Sequence, residues 1–438
     1  MQLRPYQQDA VIELFQFCLG FEQRGLVVLP TASGKTVIFA ELVRLLLKRH
    51  ANYQVLLLGH TQEIVQQNED KLLAIWPEAP VGVFCAGLGR REITQVISAS
   101  RDSMVAQLSE LPALDLVIID EAHLITPEDS GRYQLILQHA KSKNPKLKVL
   151  GFTATPFRSR KGYLHDQQGL NLFDKVVYHK RIDELTKATY LCPLRAVAVN
   201  PKAVADTSKV RESKQDFNSA DLNKVLNIEA LSEAIVADWH CKTGGKLATV
   251  FYAASLTQAK LLQKILGQRG YKFPVIEGLT PKADRISWLE QFEAGQLMGL
   301  INYGTLTTGW DSPRMQCIVM ARPTLSPGLF LQVVGRGLRT SPLKTETLLL
   351  DYGDNLHRFG PIERVRPESE DRKRFLLKDK IKTCPVCDTL LSVYATECEH
   401  CTERFDPPER FSECVDCGSL SDYFANHCEV CGESFYDE

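Results

Sequence analysis

An α/β fold is what this sequence predicts: two tandem parallel-sheet units followed by a small metal-stapled tail. Three observations predict it. Short apolar runs alternate with helically spaced apolar residues, and this happens twice along the chain. Paired cysteines crowd residues 384–438. The charge balance breaks at the same place, with 50 Lys+Arg against 40 Asp+Glu before residue 384 and two arginines against 13 carboxylates after it.

In the first unit the strands are expected at Leu26–Leu29, Val55–Leu58, Val81–Cys85, Val96–Ala99, Leu116–Ile119 and Val149–Phe152. Between them, Val37–Arg49 and Gln62–Ile75 place apolar residues at helical spacing. Alternation of this kind argues for a parallel sheet covered by helices on both faces. Residues 200–225 are polar and lack periodicity, which reads as a connector. The second unit expects helices at Ile228–Cys241, Thr257–Arg269, Lys282–Glu293 and Gly328–Leu338. Its strands are expected at Thr249–Tyr252, Phe273–Ile276, Met298–Tyr303, Gln316–Met320 and Thr347–Asp351. Residues 364–382 are basic, with eight Lys/Arg against four Asp/Glu. The expected domains are therefore 1–190, a connector 191–227, 228–360, a basic linker 361–383, and the tail 384–438.

Length and composition bound the function classes. A chain of 438 residues, 44% apolar and 24% charged, has ample material for a globular core. No apolar run approaches the roughly 18 residues a membrane helix needs. The start, Met1-Gln2-Leu3-Arg4-Pro5, lacks a charged-then-apolar leader, so a cytoplasmic location is expected. The basic body suits a polyanionic partner. Five scattered cysteines (Cys18, Cys85, Cys192, Cys241, Cys317) read as small apolar residues of a reducing compartment.

The chemistry begins after the first strand, at Pro30-Thr31-Ala32-Ser33-Gly34-Lys35-Thr36. A strand, a loop ending Gly-Lys-Thr and a helix form a phosphate cradle. Backbone amides and the helix N-terminus face the phosphates, Lys35 pairs with β/γ oxygens, and Thr36 binds Mg²⁺. Leu29 stands where the full pattern has glycine. The second half is Leu116-Val117-Ile118-Ile119-Asp120-Glu121-Ala122-His123. Its carboxylates lie at the carboxyl end of a buried strand, where open α/β sheets bind ligands. Asp120 is expected to hold Mg²⁺, and Glu121 to position and deprotonate the attacking water. Taken singly, Asp-Glu after a strand is also an ordinary solvated turn; the two patterns in order favour an ATP site.

Asp120-Glu121-Ala122-His123 is a DEAH box, and from residue 3 to about 355 the chain resembles a superfamily-2 helicase. That resemblance implies two RecA-like domains, ATP and Mg²⁺ as cofactors, and DNA as partner. It implies that Arg4 and Gln7, in Arg4-Pro5-Tyr6-Gln7, read the adenine. Thr153-Ala154-Thr155 matches the motif coupling ATP to movement. Thr307-Thr308-Gly309-Trp310-Asp311 matches a second-lobe motif, which brings Gly309 and Asp311 to the nucleotide. Gln332 to Arg339 matches the QxxGRxxR arginine-finger motif, so Arg336 and Arg339 are expected on one helical face, reaching the γ-phosphate. Ala32 replaces a family glycine, and Trp310 a phenylalanine. Leu3–Ala10, Ala86–Glu92, Phe152–Gly162 and Val333–Arg339 are worded like the RadD family of bacterial DNA-repair ATPases.

In the tail, Cys384-x2-Cys387, ten residues, Cys398-x2-Cys401 recurs 30 residues later as Cys414, Cys417, Cys428 and Cys431. Two such knuckles close a tetrahedral Zn²⁺ shell, so two Zn²⁺ are expected in sequential ribbons. Repetition of a complete unit favours this over a cross-braced pairing. With about −2 per thiolate-zinc site the tail becomes strongly anionic, so a protein-docking or autoinhibitory role is expected of it.

The sequence thus predicts an ATP-dependent DNA translocase or helicase in repair or recombination. Sequence-independent backbone contacts are expected near Gly59-His60-Thr61, Thr307-Thr308, Arg90 and Arg91. The rival readings are an RNA helicase, the motor of a restriction enzyme, and an ATP-switched adaptor acting through its zinc tail. With two residues before Leu3, no N-terminal nuclease is expected.

Overall fold

A computed structural model describes residues 3–125, 131–158, 162–165, 170–213, 216–218, 221–223, 228–306, 310, 312–365, 381–406, 411–415, 420–422 and 428. The chain divides into two compact units, Met1–Arg181 and Ile182–Glu438.

The first unit opens with helix α1 (Pro5–Leu19), its proline at the first turn, where a missing N–H costs nothing. Strand β1 (Arg24–Val28) leads through the Pro30–Gly34 loop into α2 (Lys35–Arg49). Then follow β2 (Val55–Gly59), α3 (Gln62–Ile75), β3 (Val81–Cys85), β4 (Arg90–Arg91) and β5 (Val96–Ser100). The unit continues with α4 (Arg101–Val105), β6 (Leu116–Asp120), α5 (Arg132–Lys143) and β7 (Lys148–Thr153). A small hairpin, β8 (Phe157–Arg158) with β9 (Gly162–Tyr163), precedes β10 (Lys175–His179). Eight strands form one sheet in the order β10-β1-β7-β6-β2-β5-β3-β4. All its pairings are parallel except β3 with β4. Every residue of β2 and β5 is buried, as expected of strands covered on both faces. Leu14, Phe39, Leu46 and Phe152 fill one face, and Leu58, Ile97, Ile136 and Phe173 the other.

The second unit begins with α6 (Ile182–Lys187) and β11 (Leu194–Ala196), then α7 (Ile228–Thr243), β12 (Thr249–Tyr252) and α8 (Leu256–Gln268). Next come β13 (Val275–Ile276), α9 (Lys282–Glu293), β14 (Gly299–Asn302) and β15 (Cys317–Met320). It closes with α10 (Pro327–Gly335), β16 (Thr347–Asp351) and α11 (Asn355–Phe359). Six parallel strands stand in the order β11-β16-β15-β12-β14-β13. The stretch read as a connector supplies β11 to this sheet. It also gives Ala203, Ala205, Val210, Phe217 and Leu222 to the same core as Trp239, Phe251 and Tyr352. Asp216 pins it further, accepting from Arg322 Nη2 and Thr324 Oγ1, both at 2.9 Å. The polar wording of residues 200–225 hides a packed segment because its apolar residues are spaced irregularly.

In the tail, hairpin β17–β18 (Ile381–Thr383, Leu390–Ser392) recurs as β19–β20 (Phe411–Glu413, Leu420–Asp422). The second hairpin is the first displaced by the cysteine repeat. Among the described residues no helix is long and apolar enough to cross a membrane.

Candidate nucleotide site and cysteine cluster

The loop after β1 is shaped by two left-handed residues, Ala32 at φ 67° and Gly34 at φ 80°. Turned amides of this kind form an anion-binding concavity ahead of a helix N-terminus. Gly34 is needed twice over: a Cβ there would come within 2.6 Å of Gln7 Nε2. Ala32 adopts, at some strain, the conformation a glycine would take freely. Lys35 opens α2 and donates to the carbonyls of Leu29 and Pro30, both at 3.2 Å, which holds its ammonium over the loop. Thr31 and Thr36 are half-buried beside it, with Thr36 in the first turn of α2. Ser33 turns inward instead, its hydroxyl donating to Pro30 O at 2.7 Å.

The Arg4–Gln7 segment buttresses this loop. Gln7 Oε1 accepts from the Arg4 amide at 3.0 Å, and Nε2 donates to Ser33 O at 3.1 Å. Tyr6 donates to the same carbonyl at 2.5 Å. Gln7 therefore braces the loop, and a carbonyl oxygen's second lone pair remains for a base amine.

Asp120 ends β6 and accepts from the Glu121 amide at 3.0 Å. Glu121 itself sits at φ 53°, a sharp left-handed turn that lifts the chain off the sheet. His123 then joins two motifs. Its Nδ1 lies 3.0 Å from Thr153 Oγ1 and 3.4 Å from Glu121 Oε2. Thr153 Oγ1 donates to Thr155 O at 3.0 Å while accepting from Thr155 N at 3.0 Å. With the hydroxyl proton spent, His123 Nδ1 is the donor. Burial lowers the His123 pKa below its ordinary value, and burial does the same to His60, which faces Glu121. Both rings are neutral near pH 7. Asp120, Glu121, the loop and Thr153 all lie at the carboxyl ends of β6, β1 and β7.

Other expected contacts fare differently. Thr61 caps α3, its hydroxyl accepting from Ile64 N at 3.3 Å. Arg90 is committed to protein carboxylates, with 2.7 Å bonds to both Glu69 oxygens and 2.8–2.9 Å bonds to Glu92. A backbone phosphate would have to displace that bidentate pair, whereas Arg91 beside it is exposed. Thr307, Thr308, Gly309 and Asp311 lie outside the described residues.

In the second unit, α10 stops at Gly335, and Arg336–Leu338 form a 3-10 turn. Arg339 caps this turn with φ −70°, and residues three apart eclipse across a 3-10 turn, so the two arginines stand on one side of a 3-10 turn rather than of the expected α-helix. Within the turn Gly337 packs so closely that a Cβ would meet Thr347 Cγ2 at 2.7 Å. Arg336 is 7% exposed and donates to Trp310 O at 2.7 Å. Lys344, which no motif flags, donates to Gly337 O and Met315 O, both at 2.8 Å, and burial pushes its pKa down to about 8.

The Sγ atoms of Cys384, Cys387, Cys398 and Cys401 all lie within 4.8 Å of one another. The Cys384–Cys401 and Cys387–Cys398 pairs stand at 3.5 and 3.7 Å. A tetrahedron with Zn–S of about 2.3 Å has edges of about 3.8 Å, so the cluster has the right size for zinc and is far too open for disulfides. Of the second set, Cys414 and Cys428 are buried, and Cys417 and Cys431 lie outside the described residues.

A family model described as type III restriction enzyme, res subunit, matches residues 1–158, and the helicase conserved C-terminal domain matches residues 226–341. The chain belongs to helicase superfamily 2. The putative ATP-dependent helicase IRC3 of Saccharomyces cerevisiae is 31% identical over 80% of the chain and 51% of its own length. The DNA 3'-5' translocase XPB2 of Sulfurisphaera tokodaii is 24% identical, over 80% of this chain and 81% of its own. A solved fragment of a putative HsdR subunit of a type I restriction enzyme from Vibrio vulnificus YJ016 shares the fold. Its TM-score is 0.61 at 20% identity, covering 82% of this chain and 65% of that one. The chain thus spans about half the length of the yeast helicase it matches.

Proposed function

We propose that this superfamily-2 protein is an ATP-driven DNA translocase or helicase, of a RadD-like kind, acting in repair or recombination. One observation supports it most: the Asp120–His123 turn is hydrogen-bonded to Thr153, so a change at the ATP carboxylates is felt in a second motif. DNA is favoured as the track by the likeness to the archaeal DNA 3'-5' translocase. The repair assignment rests on the RadD-like wording.

In this reading the loop amides and Lys35 bind the triphosphate, and Thr36 and Asp120 hold Mg²⁺. The metal would neutralise charge developing on the transferred phosphoryl group. Glu121 orients the attacking water and takes its proton. Its carboxylate lies 3.4 Å from the neutral His123 ring, whose Nδ1 proton is given to Thr153. Gly309 and Asp311 complete nucleotide binding, and Arg336 and Arg339 act as fingers that make turnover depend on the second unit. The cysteines hold two Zn²⁺, and the acidic tail docks a protein partner in the cytoplasm.

ATP turnover measured with single-stranded, forked and duplex DNA and with RNA tests the proposal. Stimulation by DNA is expected. Stimulation by RNA alone would make the protein an RNA helicase, and no stimulation would make it an adaptor.

A further inference from the structure

We propose that Arg195, on the edge strand of the second helicase sheet, positions the cysteine ligand Cys387 for its metal. Zinc occupancy of the first ribbon and folding of that sheet edge are then one equilibrium. The inference rests on the zinc reading above and adds to it a residue outside the tail.

Arg195 lies in β11, whose one sheet partner is β16, so the strand's other side is a sheet edge. The first ribbon covers that edge. Val197 pairs with Thr389 in an antiparallel bridge, and the Ala198 amide donates to Asp388 O at 2.9 Å. Asp388 takes φ 58°, the turn that closes the first cysteine knuckle. Arg195 reaches into this turn, its Nη2 donating to the Cys387 carbonyl at 3.0 Å and its Nε to Thr389 Oγ1 at 3.1 Å. Thr389 Oγ1 in turn stands 3.1 Å from Cys387 Sγ.

The direction of this relay is forced. A guanidinium only donates, so the Thr389 oxygen is an acceptor towards Arg195. Its single proton is then free to point at the sulfur. A thiolate accepts it well, and a cation one hydroxyl away stabilises the anionic cluster that four thiolates and Zn²⁺ form. The second knuckle is held from the same foothold. Glu346, just before β16, lies 3.5 Å from Arg195 Nη1 and 3.6 Å from Nδ1 of His400, which sits between Cys398 and Cys401. One arginine of the helicase lobe and one carboxylate therefore touch both knuckles. Neither takes part in the nucleotide site.

The test is zinc affinity of the full chain, by competition with the chromophoric chelator 4-(2-pyridylazo)resorcinol. Cys414→Ser with Cys428→Ser isolates the first cluster. Arg195→Ala is expected to weaken binding about 10- to 100-fold, the usual effect of losing an outer-shell partner of a metal ligand. Thr389→Val, which leaves the guanidinium docked on the carbonyl, is expected to act in the same direction, and the double variant to lose less than the product. Arg195→Lys should fall between, because one ammonium cannot serve both acceptors as a fork does. The zinc-dependent rise in melting temperature should shrink in the same order. Affinity of Arg195→Ala and Thr389→Val within twofold of the parent overturns the relay alone. Zinc content unaltered by Cys384→Ser overturns the metal reading and this inference with it.

Discussion

Thr153→Val removes one hydroxyl and almost no volume from a residue that is 0% exposed. That hydroxyl is bonded at 3.0 Å to His123 Nδ1, Thr155 O and Thr155 N. Leaving a buried donor without its partner costs about 1–3 kcal/mol. His123 keeps its 3.4 Å approach to Glu121, which offsets part of the loss. A net destabilisation of about 2 kcal/mol is expected, which for a unit of this size lowers Tm by about 4–8 °C. The functional effect should be more selective. ATP affinity should stay within about threefold because the Pro30–Thr36 loop is untouched, while DNA-stimulated turnover should fall at least tenfold, about 1.4 kcal/mol. Thermal unfolding, nucleotide binding and steady-state ATPase with and without DNA read the three quantities. Thr153→Ser, which restores the hydroxyl, should recover most of both losses. A valine variant with parental Tm and parental stimulation would refute the coupling of the two motifs.

Arg336→Ala should bind ATP normally yet lose about a thousandfold of stimulated turnover, as arginine fingers do; normal stimulation would remove it from that role. Deleting residues 408–438 takes away eight carboxylates and one arginine while keeping the first ribbon. DNA affinity titrated at low and high salt should be unchanged or tighter, most visibly at low salt; a tenfold loss would show that the second ribbon binds phosphate. His60 and His123 have folded pKa values held below the ordinary 6.5 by burial. The unfolded chain therefore takes up protons first, and stability is lost as pH falls below 6.5. Melting curves of His60→Leu should show a shallower acid-side slope than the parent, and an identical slope would contradict the buried neutral ring.

Much of this architecture is legible in the sequence because parallel strands buried on both faces read as unbroken apolar runs, as at Val55–Gly59 and Leu116–Asp120. The phosphate loop and the carboxylates are legible too, since each is a short contiguous string. What the string hides is long-range. Thr153 and His123 belong to motifs 30 residues apart, and Arg195 meets Thr389 across 194 residues. Neither contact has a local signature. Helix α1 did carry a signal, with Ala10, Val11, Leu14, Phe17 and Cys18 on one buried face, but its first turn reads more readily as a nucleotide motif. Apolar spacing continues through Leu338, yet the α-helix passes into a 3-10 turn after Gly335, and the close packing of Gly337 on Thr347 and Ile318 in that turn has no local signature. Strand β10, Lys175–His179, escapes notice because its apolar run is only Val176-Val177-Tyr178, flanked by the lysine and histidine that a sheet edge tolerates.

The central claim is that hydrolysis at Glu121 drives movement along DNA. Displacement of a triplex-forming strand from duplex DNA, compared between the parent and Glu121→Gln, measures this directly. The parent should displace the strand only with hydrolysable ATP, and Glu121→Gln should bind both ATP and DNA but displace nothing. Displacement by Glu121→Gln at the parental rate, or by the parent without ATP, would contradict it.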